Sequence, residues 1–263
     1  MKKINVFAAL LLIGSLLASY DFCFAQNKKK NLDIVFIGNS ITHGAGLKDP
    51  ATEAPPVKTC NYLRQLKGVG QVRFSNQGVS GFTTVDFLPS TNTVFNKVEA
   101  AARTFYPDSN TLVFSIMLGT NDSAIDGPNG SPVSKEDYRA NMQIIIDRLL
   151  QDFPGCKVII HHPLWYSPNT YNGARYLAEG LQRLQSYFPG LDQLVASYKE
   201  SHPGQVFAGD HKAFSYFRKH HLTDMQHESG HQGTFYLHPN EQGAVALGGF
   251  WARAIDKKIA SAD

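Results

Sequence analysis

Five short apolar runs, separated by stretches with helical spacing, restrict the fold of this chain more than any other feature. They span residues 32–37, 71–75, 111–118, 157–160 and 205–208. The strongest is Thr111 to Leu118, and Leu32 to Ile37 carries one polar residue, Asp33. Runs apolar at both odd and even positions are buried on both faces, as in a parallel sheet covered by helices. Between them, helices are predicted over 57–67, 95–105, from Ser134 to just before Pro154-Gly155, over 177–188 and 191–198, and from about Pro239 to Ile259. Ser134 and Asp137 form a capping pair, and Tyr138, Met142, Ile145 and Leu149 share one face. Ala244, Gly248, Trp251, Ile255 and Ile259 share a face of the last helix. Pro189-Gly190 is expected to break the fourth helical stretch from the fifth. Alternating strands and helices predict a doubly wound parallel α/β sheet. Residues 122–133, 161–172 and 220–237 are left as long loops, a length that usually marks function or mobility.

The amino terminus is read separately. Lys2 and Lys3 precede an apolar run from Val6 to Ala18, and Cys23-Phe24-Ala25 places small residues at cleavage positions. This predicts a signal peptide over 1–25 and one domain over 26–263, exported to a periplasmic or extracellular space. The run is short for a membrane-spanning helix, so no span is expected after cleavage. A net charge of +3 is too mild to argue for nucleic acid. Cys60 and Cys156 remain, expected as buried free thiols with a disulfide as the alternative.

Four segments carry chemistry. Gly38-Asn39-Ser40-Ile41-Thr42 follows the first strand, Asn76-Gln77-Gly78 the second, and Gly119-Thr120-Asn121-Asp122 the third; His238-Pro239-Asn240 opens the last helix. Carboxyl ends of parallel strands gather on one edge, where the ligand crevice lies. A serine hydroxyl there needs a base within hydrogen-bond reach, and His238 is the candidate. Gly78 N–H and the Asn121 amide are candidate donors to an oxyanion. Taken singly, each residue has a plain turn or capping role as its alternative.

In this order, the segments resemble the four blocks of the SGNH hydrolases, also called the GDSL esterase/lipase family, with Asn39 where Asp is often found. The resemblance implies a flavodoxin-like three-layer α/β/α sandwich on a five-stranded parallel sheet. It also implies ester hydrolysis without metal or cofactor. It assigns Ser40 as nucleophile, the Ser40 N–H, Gly78 N–H and Asn121 side chain as oxyanion hole, and His238 as base. One position departs from the pattern. The family usually carries Asp three residues before the histidine, and this chain has Phe235. Asp210, Asp224, Glu228 or a backbone carbonyl remain to orient His238, and the expectation favours the carbonyl or an unassisted Ser–His dyad.

His220, His221, His227 and His231 crowd one loop. Gly230 argues against the helix that a zinc pair at 227 and 231 would need, so a polar substrate rim is expected and no metal. His161-His162 closes the fourth strand and either lines the crevice or is structural. The functional expectation is an exported serine esterase that deacetylates a carbohydrate through an acyl-enzyme. The partner is then a small-molecule or glycan ester, with Trp165, Tyr166, Tyr171, Asn169 and Asn172 suited to sugar. A lipase-type carboxylester hydrolase and a carbohydrate-binding module with weakened catalysis are the alternatives.

Overall fold

The structure is a computed structural model that describes residues 29–106 and 108–260. The expected leader cut after Ala25 lies outside the described residues. Five parallel strands form the sheet: β1 (Lys30–Gly38), β2 (Val69–Gly78), β3 (Thr111–Met117), β4 (Lys157–Ile160) and β5 (Val206–Ala208), in the order β2-β1-β3-β4-β5. The predicted strands are all present, with β1 and β2 longer at both ends. β1 pairs with β2 on one side and β3 on the other, so Gly38 sits level with Gly78 and Met117. The strand order reverses at β1, and in open α/β sheets a crevice opens at such a point.

Helices α1 (Ser40–His43), α2 (Pro50–Glu53) and α3 (Pro55–Leu63) follow β1; α4 (Phe95–Arg103) follows β2, and α5 (Lys135–Asp152) follows β3. Then come α6 (Leu177–Ser201), α7 (Ala213–Asp224), a hairpin of β6 (Glu228–Gly230) and β7 (Gly233–Phe235), and α8 (Glu241–Ala260). α3 packs on α8 and α5 packs on α6, giving a three-layer α/β/α sandwich. The capping pair forms: Ser134 Oγ accepts the Asp137 N–H at 3.0 Å. Tyr138, Met142, Ile145 and Leu149 are buried as their spacing requires.

Three expectations change. α6 runs unbroken through Pro189. Proline costs a helix one hydrogen bond and some crowding, yet Leu184, Tyr187, Leu191 and Leu194 on either side are all buried, and that packing holds the axis together. α3 begins and ends earlier than the sequence suggests, opened by Pro55-Pro56. The 220–237 segment is not one loop. Its start belongs to α7, which has no clean apolar stripe, and its centre is the β6–β7 hairpin.

β1 is buried along most of its length, including Asp33, which is 1% exposed. A charge there needs a partner. Arg73 on β2 provides a two-pronged one, with Nε and Nη2 at 2.6 and 2.7 Å from the carboxylate. Cys60 and Cys156 are both buried free thiols. Burial pushes each thiol up to about 12. Trp251 of α8 stacks on Phe36 of β1 and on His161 past the end of β4, with ring centroids 5.9 and 5.3 Å apart. This indole fastens the helix that follows His238 to the centre of the sheet. Trp251→Ala is expected to lower the unfolding free energy by about 3–5 kcal/mol, read from urea denaturation.

Candidate active site

The turn after β1 places Ser40. Asn39 Oδ1 accepts the Ile41 N–H at 3.1 Å and caps α1. That cap puts Ser40 in the first helical turn, where its own N–H has no intrahelical acceptor. Ser40 lines a cleft of about 580 Å³, together with Gly81, Asn121, Tyr176 and His238. His238 precedes α8, whose start is capped by Asn240 Oδ1 accepting the Gly243 N–H at 3.0 Å.

The imidazole is held from both sides. His238 Nε2 lies 2.8 Å from Ser40 Oγ, and Nδ1 lies 2.9 Å from Glu228 Oε2. An ionised carboxylate only accepts hydrogen bonds, so Nδ1 carries the proton and Nε2 accepts from the serine hydroxyl. Glu228 Oε1 accepts the backbone N–H groups of Leu237 and His238 at 3.2 and 3.1 Å. The carboxylate is therefore fixed against the backbone that carries the ring it orients.

An acid at His238 corrects the expectation of a backbone carbonyl or a dyad. Glu228 pairs with Phe235 across the hairpin, so the carboxyl reaches the histidine from the strand facing the usual Asp position. The other two candidates are committed elsewhere. Asp210 accepts the Lys212 and Ala213 N–H groups at the start of α7, and Asp224 accepts the Tyr216 and Thr223 hydroxyls. The sequence signal for Glu228 is Gly230-His231-Gln232-Gly233, two glycines bracketing two residues as in a tight hairpin. That pattern would have placed residues 228 and 235 side by side.

Gly78 does not line the cleft. Its N–H donates to Asn76 Oδ1 at 3.0 Å, and a β-carbon there would sit 2.3 Å from the His43 nitrogen. The glycine lets α1 seat against β2. Gly81, three residues on, does line the cleft, with φ +80°. Its N–H has no hydrogen-bond partner among the described residues. Asn121 Nδ2 donates to Phe82 O at 2.8 Å, leaving its second hydrogen for the cleft.

The other expected site residues disperse. Trp165 and Tyr166 are core side chains rather than a sugar rim. Asn169 holds the β6–β7 hairpin by donating to Gln232 O and Thr234 O, and Asn172 lines the cleft. His161 is structural: Ser115 Oγ lies 2.9 Å from its Nε2, and the Asp210 N–H donates to its Nδ1. Burial depresses its pKa to about 3. His220 stacks on Tyr216, His221 packs against Trp165 and Tyr236, and His231 contacts Tyr171. Among the described residues, no group of three or more His, Cys, Asp or Glu side chains is placed to hold a metal ion.

With this geometry established, comparison settles the family. The sequence matches the GDSL-like lipase/acylhydrolase family over residues 36–246. The chain belongs to that family and is a serine carboxylester hydrolase. Three similar solved structures share its fold at low identity. Est24, a carbohydrate acetylesterase from Sinorhizobium meliloti, is 17% identical with TM-score 0.57, over 87% of this chain and 98% of that one. A lipase/acylhydrolase from Enterococcus faecalis is 20% identical with TM-score 0.56, over 86% and 96%. A two-domain esterase active on acetylated mannans is 16% identical with TM-score 0.52, over 89% of this chain and 50% of that one. Comparison with curated proteins gave no match.

Asp122 lies directly beside Asn121 and is fully buried. Burial raises its carboxyl from 3.8 to about 6, against hydrogen bonds from Thr84 that lower it. Its Oδ2 has no partner among the described residues. A carboxyl whose pKa rises on folding stabilises the fold most when protonated. That contribution is complete below about pH 4 and is lost as the pH climbs through about 6. Relative to Asp122→Asn, the wild type is expected to lose about 3 kcal/mol of stability from pH 4 to pH 7, measured by urea unfolding at each pH. Parallel profiles for the two proteins would refute it.

Proposed function

We propose that this chain is an exported acetylesterase acting on carbohydrate, with Ser40, His238 and Glu228 as a catalytic triad. The observation that carries the reading is the imidazole held between Ser40 Oγ and Glu228 Oε2 on the wall of an open cleft. Ser40 Oγ attacks the acyl carbon as its proton passes to His238 Nε2. Glu228 stabilises the imidazolium and keeps the ring in the required tautomer. The oxyanion is met by the Ser40 N–H, the Gly81 N–H and the Asn121 side chain, with Gly81 taking the role expected of Gly78. His238 then passes its proton to the departing alcohol oxygen. Water, deprotonated by the same imidazole, attacks the acyl-enzyme and releases the acid and Ser40.

A small acyl group is favoured over a fatty one. The cleft walls include Ser80, Gly127, Asn172 and Gly173, with Ala45, Pro128, Ala174 and Leu237 as the apolar part. Such a mixed lining offers little apolar area to a long chain. The sugar assignment draws on the polar side chains Ser80, Asp126 and Asn172 in this lining and on the acetylesterase and mannan-active relatives. Export rests on the leader-like residues 1–25. Among the described residues, no helix is long and apolar enough to cross a membrane.

The test is acetate release from p-nitrophenyl acetate and from acetylated glycans, compared with a long-chain ester. Ser40→Ala is expected to abolish turnover. Glu228→Gln is expected to lower kcat a hundredfold or more, because the amide can present its N–H₂ to Nδ1 and favour the wrong tautomer. Asn121→Ala is expected to cost about a hundredfold in kcat, the usual loss for one oxyanion donor. Ser40-independent hydrolysis, or an unchanged Glu228→Gln, would rule out the triad. Faster turnover of the long-chain ester would rule out the acyl preference.

A further inference from the structure

Residue 176 is an aromatic on the cleft wall that the mechanism above leaves unused. Tyr176 is 3% exposed, and its hydroxyl donates to Asn121 Oδ1 at 2.8 Å. On its other side, the same amide donates through Nδ2 to Phe82 O at 2.8 Å. A backbone carbonyl only accepts, so Phe82 fixes which end of the amide is nitrogen. A phenol can donate or accept, and with Nδ2 turned toward Phe82 it must donate to Oδ1. The two bonds pin the amide plane from opposite ends, and the remaining N–H is left for the cleft.

Tyr176 is itself well anchored. The N–H groups of Tyr176 and Leu177 both donate to Thr170 O at 3.2 Å. Leu177 holds φ at +56°, a left-handed conformation rare for a branched side chain. Strain of this kind persists only where surrounding contacts impose it, and it clusters at functional sites. The Tyr176 ring meets Tyr166 edge-on at 5.4 Å, and the Tyr166 hydroxyl pairs with Ser123 Oγ at 2.8 Å. Burial, reinforced by the negative charges of Glu228 and Asp122, raises the phenol well above its ordinary pKa. It therefore remains a donor at every working pH.

Resting on the proposed esterase mechanism, we infer that Tyr176 is a positioning residue that holds the Asn121 amide, and through Phe82 the loop carrying the Gly81 N–H, in the geometry that receives the oxyanion. The hydrogen bonds run in one direction, from the Tyr176 hydroxyl to Asn121 and from Asn121 to Phe82, so each polarises the next. Phe82 follows Gly81 directly. The Asn121 amide thus ties one proposed oxyanion donor to the backbone beside another, and the tyrosine removes the rotational slack.

The test is Tyr176→Phe, which keeps the ring on the cleft wall and removes only the hydroxyl. Turnover of p-nitrophenyl acetate is normalised to sites titrated with a fluorophosphonate, so partial misfolding cannot imitate the effect. The expected result is a kcat about tenfold lower, the size of one lost hydrogen bond, with KM within twofold of the wild type. The double variant Tyr176→Phe/Asn121→Ala is expected to be no slower than Asn121→Ala alone, because the tyrosine acts only through the amide. Wild-type kcat per titrated site, a loss confined to KM, or losses that multiply in the double variant would each overturn the inference. Ser40→Ala serves as the reference. If it retains turnover, the esterase mechanism itself fails. If it is inactive while Tyr176→Phe is fully active, only the role of Tyr176 falls.

Discussion

The hydrogen-bonded ladder that places β1 between β2 and β3 governs the rest of this molecule. It brings Gly38, Gly78 and Met117 level, so three turns leave the sheet side by side. From there each turn needs only two to four residues to deliver Ser40, Gly81 and Asn121 to a common cleft. A slip in either pairing would carry one of them away from the others. The ion pair between buried Asp33 and half-buried Arg73, well below those turns, joins β1 to β2 through side chains. Removing Arg73 would leave the buried Asp33 charge uncompensated, whereas the guanidinium is also paired with Asp108.

The proposed catalytic geometry is assembled in two halves of unequal origin. The serine and amide half is built on strand ends. The imidazole half is built on α8, which Trp251 binds to the sheet, and on a hairpin only three residues wide on each side. Gln226 links the halves: its Nε2 donates to Ala45 O and to Pro239 O, both at 2.9 Å. One side chain thus spans from the loop after Ser40 to the residue after His238.

Most of the fold was legible because buried parallel strands write their burial into the sequence. Ser134 and the 138–149 face did the same for α5. α7 was not legible, since its apolar residues form no clear stripe, and Pro189 misled because tertiary packing outweighed a local penalty. At the site, residue type and order pointed to Ser40, Asn121 and His238, which the structure brings to one cleft. Gly78 was misplaced because two glycines lie three apart, one ending β2 and one in the turn beyond it, and only the geometry shows which one faces the cleft. Glu228 was the hardest to read. Its relation to His238 depends on a hairpin register rather than on sequence spacing, and register is a property of the folded chain.

The hairpin that carries Glu228 is not self-supporting. The segment from Ser167 to Tyr171 runs along it: the Ser167 N–H donates to Tyr236 O, Asn169 reaches Gln232 and Thr234, and the His231 N–H donates to Tyr171 O. That same stretch continues into Asn172, Gly173 and Ala174 on the cleft wall. The cleft wall and the carboxylate behind His238 therefore share one strip of backbone. Grafting a different wall to admit a bulkier ester would also re-aim the carboxylate behind the histidine, so altered selectivity in this scaffold comes bound to altered speed.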